Sequence, residues 1–290
     1  MSHKALPLAQ LTLTPSQSKR LIAEAVLRLE PVSRALRHGL VALHPSTSTA
    51  PIIEGMIGRV PNGVRALGMV RPKGLCISLE RQQEARRGDA LGRPAGGFPY
   101  TWLLRDGRLQ VPTLLADILR LMGPGDVYIK GCNALDRDGL AGVLFASPGA
   151  GTIGAVMAAQ RRRGFTIVLP VGLEKAIPGT IAQASKATIP GRVKYSTGQR
   201  CGVIPVPGRV ISEAEAFKIL FGVGCRPIAA GGVGGGEGSV VLVLEGREPD
   251  VVRAFEHVLE LKKEAPPDIP EATCAGCPID RCLMPRGCSA

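Results

Sequence analysis

Short continuous runs of apolar residues alternate with segments of helical periodicity along most of this chain. Such runs are typical of strands buried on both faces of a parallel sheet, and the intervening segments are typical of the helices that cover it. Ser/Thr, Asn/Asp and Gly residues follow the runs, at the strand ends where such sheets bind ligands. The apolar runs are residues 40–43, 126–129, 142–146 and 165–169.

Helix signals separate these runs. Thr14 is a good N-cap and Gln17 completes a capping box. The amphipathic run from Lys19 to about Arg37 predicts the helix that follows, with an interruption at Pro31 and Gly39 as its stop. Residues 152–163 predict a further helix between two apolar runs.

The pattern changes near residue 196, where strands and helices are shorter and a glycine-rich loop appears. The predicted elements there are strands at 203–206 and 240–244, a helix from Ser212, the loop 231–238 and a helix at 248–263. We therefore predict an α/β protein. Its parts are a Rossmann-like, mostly parallel core (1–195), a smaller α+β, ferredoxin-like domain (196–264) and a Pro linker with a Cys-rich tail (265–290).

Composition supports a packed core and indicates an anionic partner. Of the 290 residues, 45% are hydrophobic and 3% aromatic, so global disorder is excluded and the core must be aliphatic. The formal net charge is +12, and much of the excess lies between Arg59 and Arg108. We interpret this stretch as a basic surface or a site for a small phosphorylated or carboxylated metabolite. Nucleic acid is disfavoured, because stacking platforms require aromatic side chains.

An uncharged stretch at residues 139–160 is long enough to raise the question of a membrane span. Pro148, Gly149 and Gly151 divide it into a predicted strand and a predicted helix, so no membrane partner is expected. The chain shows no signal-peptide pattern, and we expect a cytoplasmic location. A homo-oligomer is left open.

Four cysteines in the tail are the strongest local signal: Cys274, Cys277, Cys282 and Cys288. The short intervening loops allow the thiols to converge, and a segment with so few apolar residues needs a metal or disulfides to become ordered. We predict an iron–sulfur cluster of the 4Fe–4S type, with zinc as the alternative; disulfides or a disordered thiol tail also remain open. The other cysteines are expected to be small buried apolar residues: Cys76, Cys132, Cys201 and Cys225.

A run of hydroxyl residues follows the first apolar run and precedes a helical pattern. Its members are Ser46, Thr47, Ser48 and Thr49. Hydroxyls together with the N–H groups of a helix N-terminus form a site for phosphate or carboxylate. A helix cap with spare hydroxyls is the alternative, but four such residues exceed what a cap requires.

Charged and polar residues at two later strand ends extend this candidate site. Lys130, Gly131 and Asn133 are expected to bind substrate, and Asp136 lies in the same turn. Glu174 and Lys175 follow the next strand. Asp136, Glu174 and Lys175 are therefore candidate proton-transfer residues. Solvated turn residues and a surface ion pair are the alternative.

Residues 149–154 form a literal G-x-G-x-x-G sequence between a predicted strand and helix. With Glu174 at the appropriate distance, the pattern matches a dinucleotide fingerprint. It lies in mid-sheet, however, and we favour a glycine turn in which Gly149, Gly151 and Thr152 offer backbone groups to a ligand.

Several of these segments resemble the superfamily of ribose-5-phosphate isomerase, glucosamine-6-phosphate deaminase, coenzyme A transferases and methylthioribose-phosphate isomerase. Residues 39–43 with the hydroxyl run resemble its first strand and phosphate loop, and residues 126–136 resemble a later strand and turn. Residues 149–152 fall at its glycine-rich turn, and the segment after Ser196 is similar to its small domain. The resemblance covers roughly residues 15–180 and implies a Rossmann-like core with a phosphate site.

The chain also departs from that superfamily. Asn133 and Ala134 stand where pentose-phosphate isomerases carry Asp and Glu, while Asp136 is retained. The lysine of their glycine-rich segment is absent, and nothing in them implies a cysteine tail. Ordinary pentose-phosphate isomerisation is therefore not expected.

These observations favour an isomerase- or transferase-like enzyme that acts on a small anionic metabolite and carries an iron–sulfur or zinc site. The first alternative is a non-catalytic metabolite and redox sensor with a cluster. The second is an NAD-dependent oxidoreductase.

Overall fold

The computed structural model describes residues 7–63, 65–86, 100–188, 192–270, 272–275, 277–279 and 282–283. The strands are β1 Leu8–Leu13, β2 Leu40–Leu43, β3 Gly68–Arg71, β4 Gly74–Ile77, β5 Trp102–Arg105, β6 Arg108–Leu109, β7 Val127–Ile129, β8 Ala134–Leu135, β9 Ala141–Phe145, β10 Thr166–Pro170, β11 Gly202–Val206, β12 Arg209–Ile211, β13 Gly224–Gly231 and β14 Ser239–Glu245. The α-helices are α1 Pro15–Arg28, α2 Glu30–His38, α3 Ala50–Ile57, α4 Leu79–Arg86, α5 Leu115–Leu121, α6 Gly151–Arg163, α7 Ile181–Ala187, α8 Glu213–Phe221 and α9 Glu248–Leu261.

A six-stranded sheet forms the centre of the fold, in the order β12-β10-β7-β2-β5-β6. The strands β12, β10, β7 and β2 run parallel. At one edge β5 pairs antiparallel with β2, and β6 pairs antiparallel with β5. All four residues of β2 and all three of β7 are buried, as expected for strands covered on both faces. Because the four parallel strands share a direction, their carboxyl ends lie along one edge of the sheet.

The two faces of this sheet pack against different layers. Val41 and Ile129 face a core formed with α1, α8, α9 and a three-stranded sheet of order β1-β14-β13. Ala42 and Tyr128 face a second core, formed with α5 and α6. Side chains alternate across the strands, so each strand contributes to both cores.

The helix predicted from Thr14 is confirmed, and so is its interruption. Thr14 caps α1 with a capping box to Gln17, as the sequence indicates. Leu29 is extended between α1 and α2, and Pro31 lies in the first turn of α2, where a missing N–H costs no hydrogen bond.

The expectation that residues 142–146 belong to the parallel sheet is wrong. The strand itself is present as β9, but it pairs antiparallel with β11 and β8 in a separate three-stranded sheet. A short apolar run indicates burial but does not identify the strand's partner. β9 is buried by α7 and α6, and a Cβ on Gly142 would lie 2.9 Å from Ile181.

The coarse fold class is confirmed, since the chain is mixed α/β with a largely parallel central sheet. The boundary near residue 196 stays a prediction, and strand pairing crosses it: β12 joins the central sheet and β11 pairs with β9. Among the described residues, no helix is both long and apolar enough to cross a membrane. The uncharged stretch is divided into β9 and α6, as predicted.

Candidate functional site

The loops that follow the four parallel strands carry most of the predicted site residues, and the structure brings several of them together. The Lys175 Nζ atom donates to the Ser48 Oγ atom at 3.2 Å, which joins the loop after β10 to the loop after β2. A Cβ on Gly131 would lie 2.7 Å from the Ser46 Oγ atom, so the loop after β7 touches the same place. We call residues 46–49, 130–131 and 174–175 the strand-end site.

The hydroxyl run has two halves with different roles. Thr49 is fully buried, and its hydroxyl donates to the His44 carbonyl at 2.6 Å and lies 3.0 Å from the Ser46 hydroxyl. These two hydroxyls therefore hold the turn that starts α3. Among the described residues, the amides of Thr47 and Ser48, which precede the N-cap residue Thr49 of α3, make no hydrogen bond.

Lys130 supplies a buried cation at the end of the central strand β7. Its side chain is only 6% exposed, and burial lowers the pKa of Lys130 to about 7 against a smaller raising effect of Cys132. Within the described part of the chain, its ammonium has neither a hydrogen bond nor an ion pair. The neighbouring His44 is also buried; burial first and Lys130 second hold its pKa well below the ordinary value, so its imidazole is neutral.

Two further lysines and a glutamate lie beside this cation. Lys175 and Glu174 form an ion pair, with Nζ and Oε1 3.5 Å apart. Lys19 of α1 is close enough for both charges to act on it: burial and Lys175 lower the pKa of Lys19, whereas Glu174 raises it. Lys175 of the strand-end site and Lys19 beside it therefore lie near the carboxylate of Glu174, and Lys130 is a third lysine of the site.

Glu174 is the acid of the site whose carboxylate oxygens lack hydrogen-bond donors among the described residues. Both carboxylate oxygens are buried, and within the described residues neither accepts a hydrogen bond. The carboxylate lies over Gly172, where a Cβ would be 1.8 Å from the Glu174 Oε2 atom. Gly238 of the glycine-rich loop lies against Pro15 and Glu174, so this loop borders the acid. A buried carboxylate with free lone pairs beside a lysine is suited to accept a proton from a ligand.

Glu213, at the start of α8 after β12, is a second acid at this edge. Its two carboxylate oxygens accept from the Leu173 N–H at 3.1 and 2.9 Å. Burial raises the pKa of Glu213 to about 7 and the charge of Glu174 adds to this, while a hydrogen bond from Ser18 opposes it. Glu213 thus holds the backbone beside Glu174, and its raised pKa of about 7 lets it bind a proton at higher pH than an ordinary glutamate.

Asp136 and Asn133 have structural partners. Asp136 accepts backbone N–H groups of Asp138, Leu140 and Ile181 at 3.0, 2.9 and 3.0 Å, and these bonds lower its pKa. The Asn133 Oδ1 atom accepts from the Leu144 N–H at 3.0 Å. Their hydrogen bonds therefore organise the turn between β8 and β9 and the start of α7.

The glycine turn follows β9, outside the parallel sheet. Gly149 and Gly151 have φ of 67° and 56°, and a Cβ on Gly154 would lie 1.9 Å from the Gly149 carbonyl oxygen. The glycines thus allow a tight turn into α6, on which Thr152 lies. A dinucleotide fingerprint needs this turn between parallel strands, whereas β9 has antiparallel neighbours.

The cysteine tail docks on the β3–β4 hairpin, on α4 and on the loop before β11. Gln82 of α4 donates to the Thr273 carbonyl at 2.6 Å and accepts from the Thr273 N–H at 3.2 Å. Arg71 donates to the Ile269 carbonyl at 3.0 Å, and the Leu283 N–H donates to the Ser196 carbonyl at 3.0 Å. The tail is therefore held mainly through its backbone.

Three tail thiols affect the pKa of a cysteine that the sequence analysis assigned to packing. The pKa of Cys76 in β4 is raised by burial first and then by Cys274, Cys277 and Cys282, with Lys73 opposing. We call these four cysteines the thiol set. Cys288 lies outside the described residues. As the side chains stand, no three His, Cys, Asp or Glu residues of the described part form a group that could hold a metal ion.

Sequence reasoning missed Lys19, Glu213 and Cys76. Lys19 and Glu213 lie in amphipathic helices, where a charged residue is ordinary, and no sequence signal separates them from solvated positions. Cys76 lies in a short, half-buried strand of a hairpin. Neither a protein-family model nor a curated protein sequence matches this chain.

Proposed function

We propose that this chain is an isomerase- or transferase-like enzyme that binds a small phosphorylated or carboxylated metabolite at the strand-end site. The observation that carries the proposal is Lys130: a lysine that is 6% exposed, without a described anionic partner, at the carboxyl end of the central parallel strand. A buried cation is unfavourable unless it is paired or neutralised. A ligand anion would supply the missing partner.

The surroundings of Lys130 support an anion. The amides of Thr47 and Ser48, which precede the N-cap of α3 and make no hydrogen bond among the described residues, are candidate donors to a ligand anion. Lys175 and Lys19 add positive charge at the same edge of the sheet. In this arrangement Lys130 and Lys175 bind the anionic group, and Ser48 orients it.

Glu174 is the proposed general base. Its buried oxygens have no hydrogen-bond donor among the described residues, and Lys175 lies 3.5 Å away to stabilise negative charge that develops on the ligand. Removal of a proton next to a carbonyl is the step that fits such a pair, and it is common to isomerisation and to carbon–carbon chemistry. The Asp136 role predicted from sequence is not needed in this scheme.

We also propose that the cysteine tail binds an iron–sulfur cluster, with zinc as the alternative. Thiolates hold both groups. A cluster would supply an electron-transfer or Lewis-acid centre, and zinc would supply a structural clamp.

Titration of the strand-end site with sulfate tests the anion proposal, because sulfate keeps its charge across neutral pH. We expect Lys130→Met to weaken sulfate binding by about tenfold or more, as for a hydrogen bond to a charged group. In the unaltered chain, binding should weaken as the pH rises through about 7, where Lys130 loses its proton. Lys186→Met, an exposed lysine of α7, is the matched control.

Sulfate affinity that is the same in Lys130→Met and in Lys186→Met contradicts the anion site. The catalytic half has its own assay, which is exchange of substrate C–H hydrogen with deuterated water over a panel of phosphorylated sugars and keto acids. Glu174→Gln should lower exchange by about 10²-fold or more while sulfate still binds. Anion binding without exchange of any panel member would favour the sensor.

A further inference from the structure

We propose that the glycine-rich loop 231–238 is a mobile lid of the strand-end site, which opens to admit a ligand to Glu174 and then closes over it. This inference rests on the proposed function and concerns access to that same site. A closed lid would exclude water from the proton transfer that we assign to Glu174.

The loop lies over Glu174. A Cβ on Gly238, at the end of the loop, would be 3.0 Å from the Pro15 Cγ atom and 3.6 Å from the Glu174 Cβ atom. The strand that follows, β14, lies beside the turn Leu173–Lys175. The Glu174 side chain is only 11% exposed, and both of its carboxylate oxygens are buried. A ligand therefore reaches this carboxylate only if a covering segment moves.

Two other neighbours of Glu174 are held in place by hydrogen bonds. The Leu173 N–H donates to both carboxylate oxygens of the buried Glu213, at 3.1 and 2.9 Å. Pro15 is the first residue of α1, a helix that the capping box of Thr14 holds at its start. Neither segment can move without breaking these bonds, so the loop is the neighbour that can yield.

The hydrogen bonds of the loop are its own. The Gly236 N–H donates to the Val233 carbonyl at 3.1 Å, the Gly235 N–H donates to the Glu237 Oε2 atom at 2.9 Å, and the Ser239 N–H donates to the Gly236 carbonyl at 2.9 Å. Within the described part of the chain, no hydrogen bond joins the loop to an element other than β13 and β14. Val233 is 87% exposed, so packing does not hold the tip of the loop either.

Glycines at both ends allow the loop to swing. Six of its eight residues are glycine. Gly231 and Gly238, at the two ends, have φ of 149° and 78°, a region that glycine enters without a steric penalty. A Cβ on Gly232 would lie 1.8 Å from the Gly236 carbonyl oxygen, so the two sides of the loop lie against each other. The loop can therefore move as one body about its glycine ends, as lids do.

The test locks the loop onto α1 with a reversible disulfide, in the full chain that carries Pro15→Cys and Gly238→Cys. The close approach of the two positions suits the short Cβ–Cβ separation of a disulfide. The readout is the rate at which a carbodiimide couples glycine ethyl ester to the Glu174 carboxylate, followed by mass spectrometry with the exposed Glu215 as internal standard. We expect this coupling to be at least about tenfold slower in the oxidised than in the reduced protein, because the locked loop cannot open.

Pro15→Cys combined with Gly234→Cys is the matched control. Gly234 also has positive φ, at 61°, but a Cβ there meets nothing within 4 Å. The coupling at Glu174 should therefore not depend on oxidation in this protein. Sulfate titration of the unaltered chain separates the two proposals: absence of binding contradicts the anion site, whereas the coupling rates still report whether the loop opens.

Equal coupling in the oxidised and reduced forms, with the disulfide confirmed by mass, would overturn the lid. Failure of the folded double variant to form the disulfide would contradict the contact between the loop and α1 on which the lid depends. If circular dichroism shows that the double variant is unfolded, hydrogen exchange of the unaltered chain decides. The amides of residues 232–238 should exchange about 100-fold faster than those of β14, and equal protection would overturn the lid.

Discussion

The strand-end site lies on strands that are buried on both faces, whereas the thiol set lies where a hairpin, a loop and the tail meet through backbone hydrogen bonds. Around Lys130, the packing of Val41, Ile129 and Val168 fixes the loops before any ligand arrives. Around Cys76, Leu75 is half-buried and Leu283 is exposed. The first site is therefore preorganised by the hydrophobic core, whereas the second would gain part of its order from the metal that we propose it binds.

The largest effect should come from removing the proposed metal. We expect the amides of the described tail residues, in 272–275, 277–279 and 282–283, to exchange with solvent about 100-fold faster in the metal-depleted chain, because none of these residues belongs to a hydrophobic core. The amides of β7 should exchange at an unchanged rate. Hydrogen-exchange mass spectrometry compares the two regions in one sample, and faster exchange in β7 would show that the two sites are not independent.

A smaller effect should follow from Gly198→Ala. The added Cβ would meet the Leu75 backbone, so the loop must move away from the hairpin, and we expect metal content to fall about tenfold. Gly222→Ala is the matched control: Gly222 also has positive φ, at 72°, but a Cβ there meets nothing within 4 Å. It should lose about 1 kcal/mol of stability to backbone strain and keep its metal. Equal metal content in both variants would argue against the close approach.

The smallest effect concerns stability at the strand-end site. Burial raises the pKa of Glu213 from its ordinary 4.5 to about 7, so between these values the folded chain binds more protons than the unfolded chain. The free energy of unfolding should therefore fall as the pH rises from 4.5 to 7. Glu213→Gln should flatten this slope, whereas Glu215→Gln, an exposed acid of the same helix, should leave it. Urea unfolding at several pH values measures how the free energy of unfolding changes with pH. The same dependence on pH in the unaltered chain and in both variants would contradict the raised pKa of Glu213.

Sequence reasoning succeeded where a pattern is local. The capping box of Thr14 and the buried run of β2 are determined by neighbouring residues, and both were predicted correctly. The partners of β9 depend on contacts with β11 and β8, which the periodicity of a five-residue run does not encode. Contacts between residues distant in sequence likewise limit what can be predicted of the strand-end site and the thiol set. Ser46–Thr49, Lys130 and Glu174 follow strands and could be expected to meet, but the approach of Cys76 to the tail depends on the fold of a hairpin distant in sequence.

The pairing of β1 with β14 has a consequence for how the chain is made. Leu13 pairs with Val240, so β1 finds its partner only after the whole central sheet, which lies between them in the chain, has been synthesised. Until then the apolar side chains of β1 have no strand partner, whereas α1, which carries Lys19, can already pack on β10 of the central sheet. Co-translational folding of this layer must therefore finish late, and the interval exposes the nascent chain to aggregation and gives chaperones time to act on it.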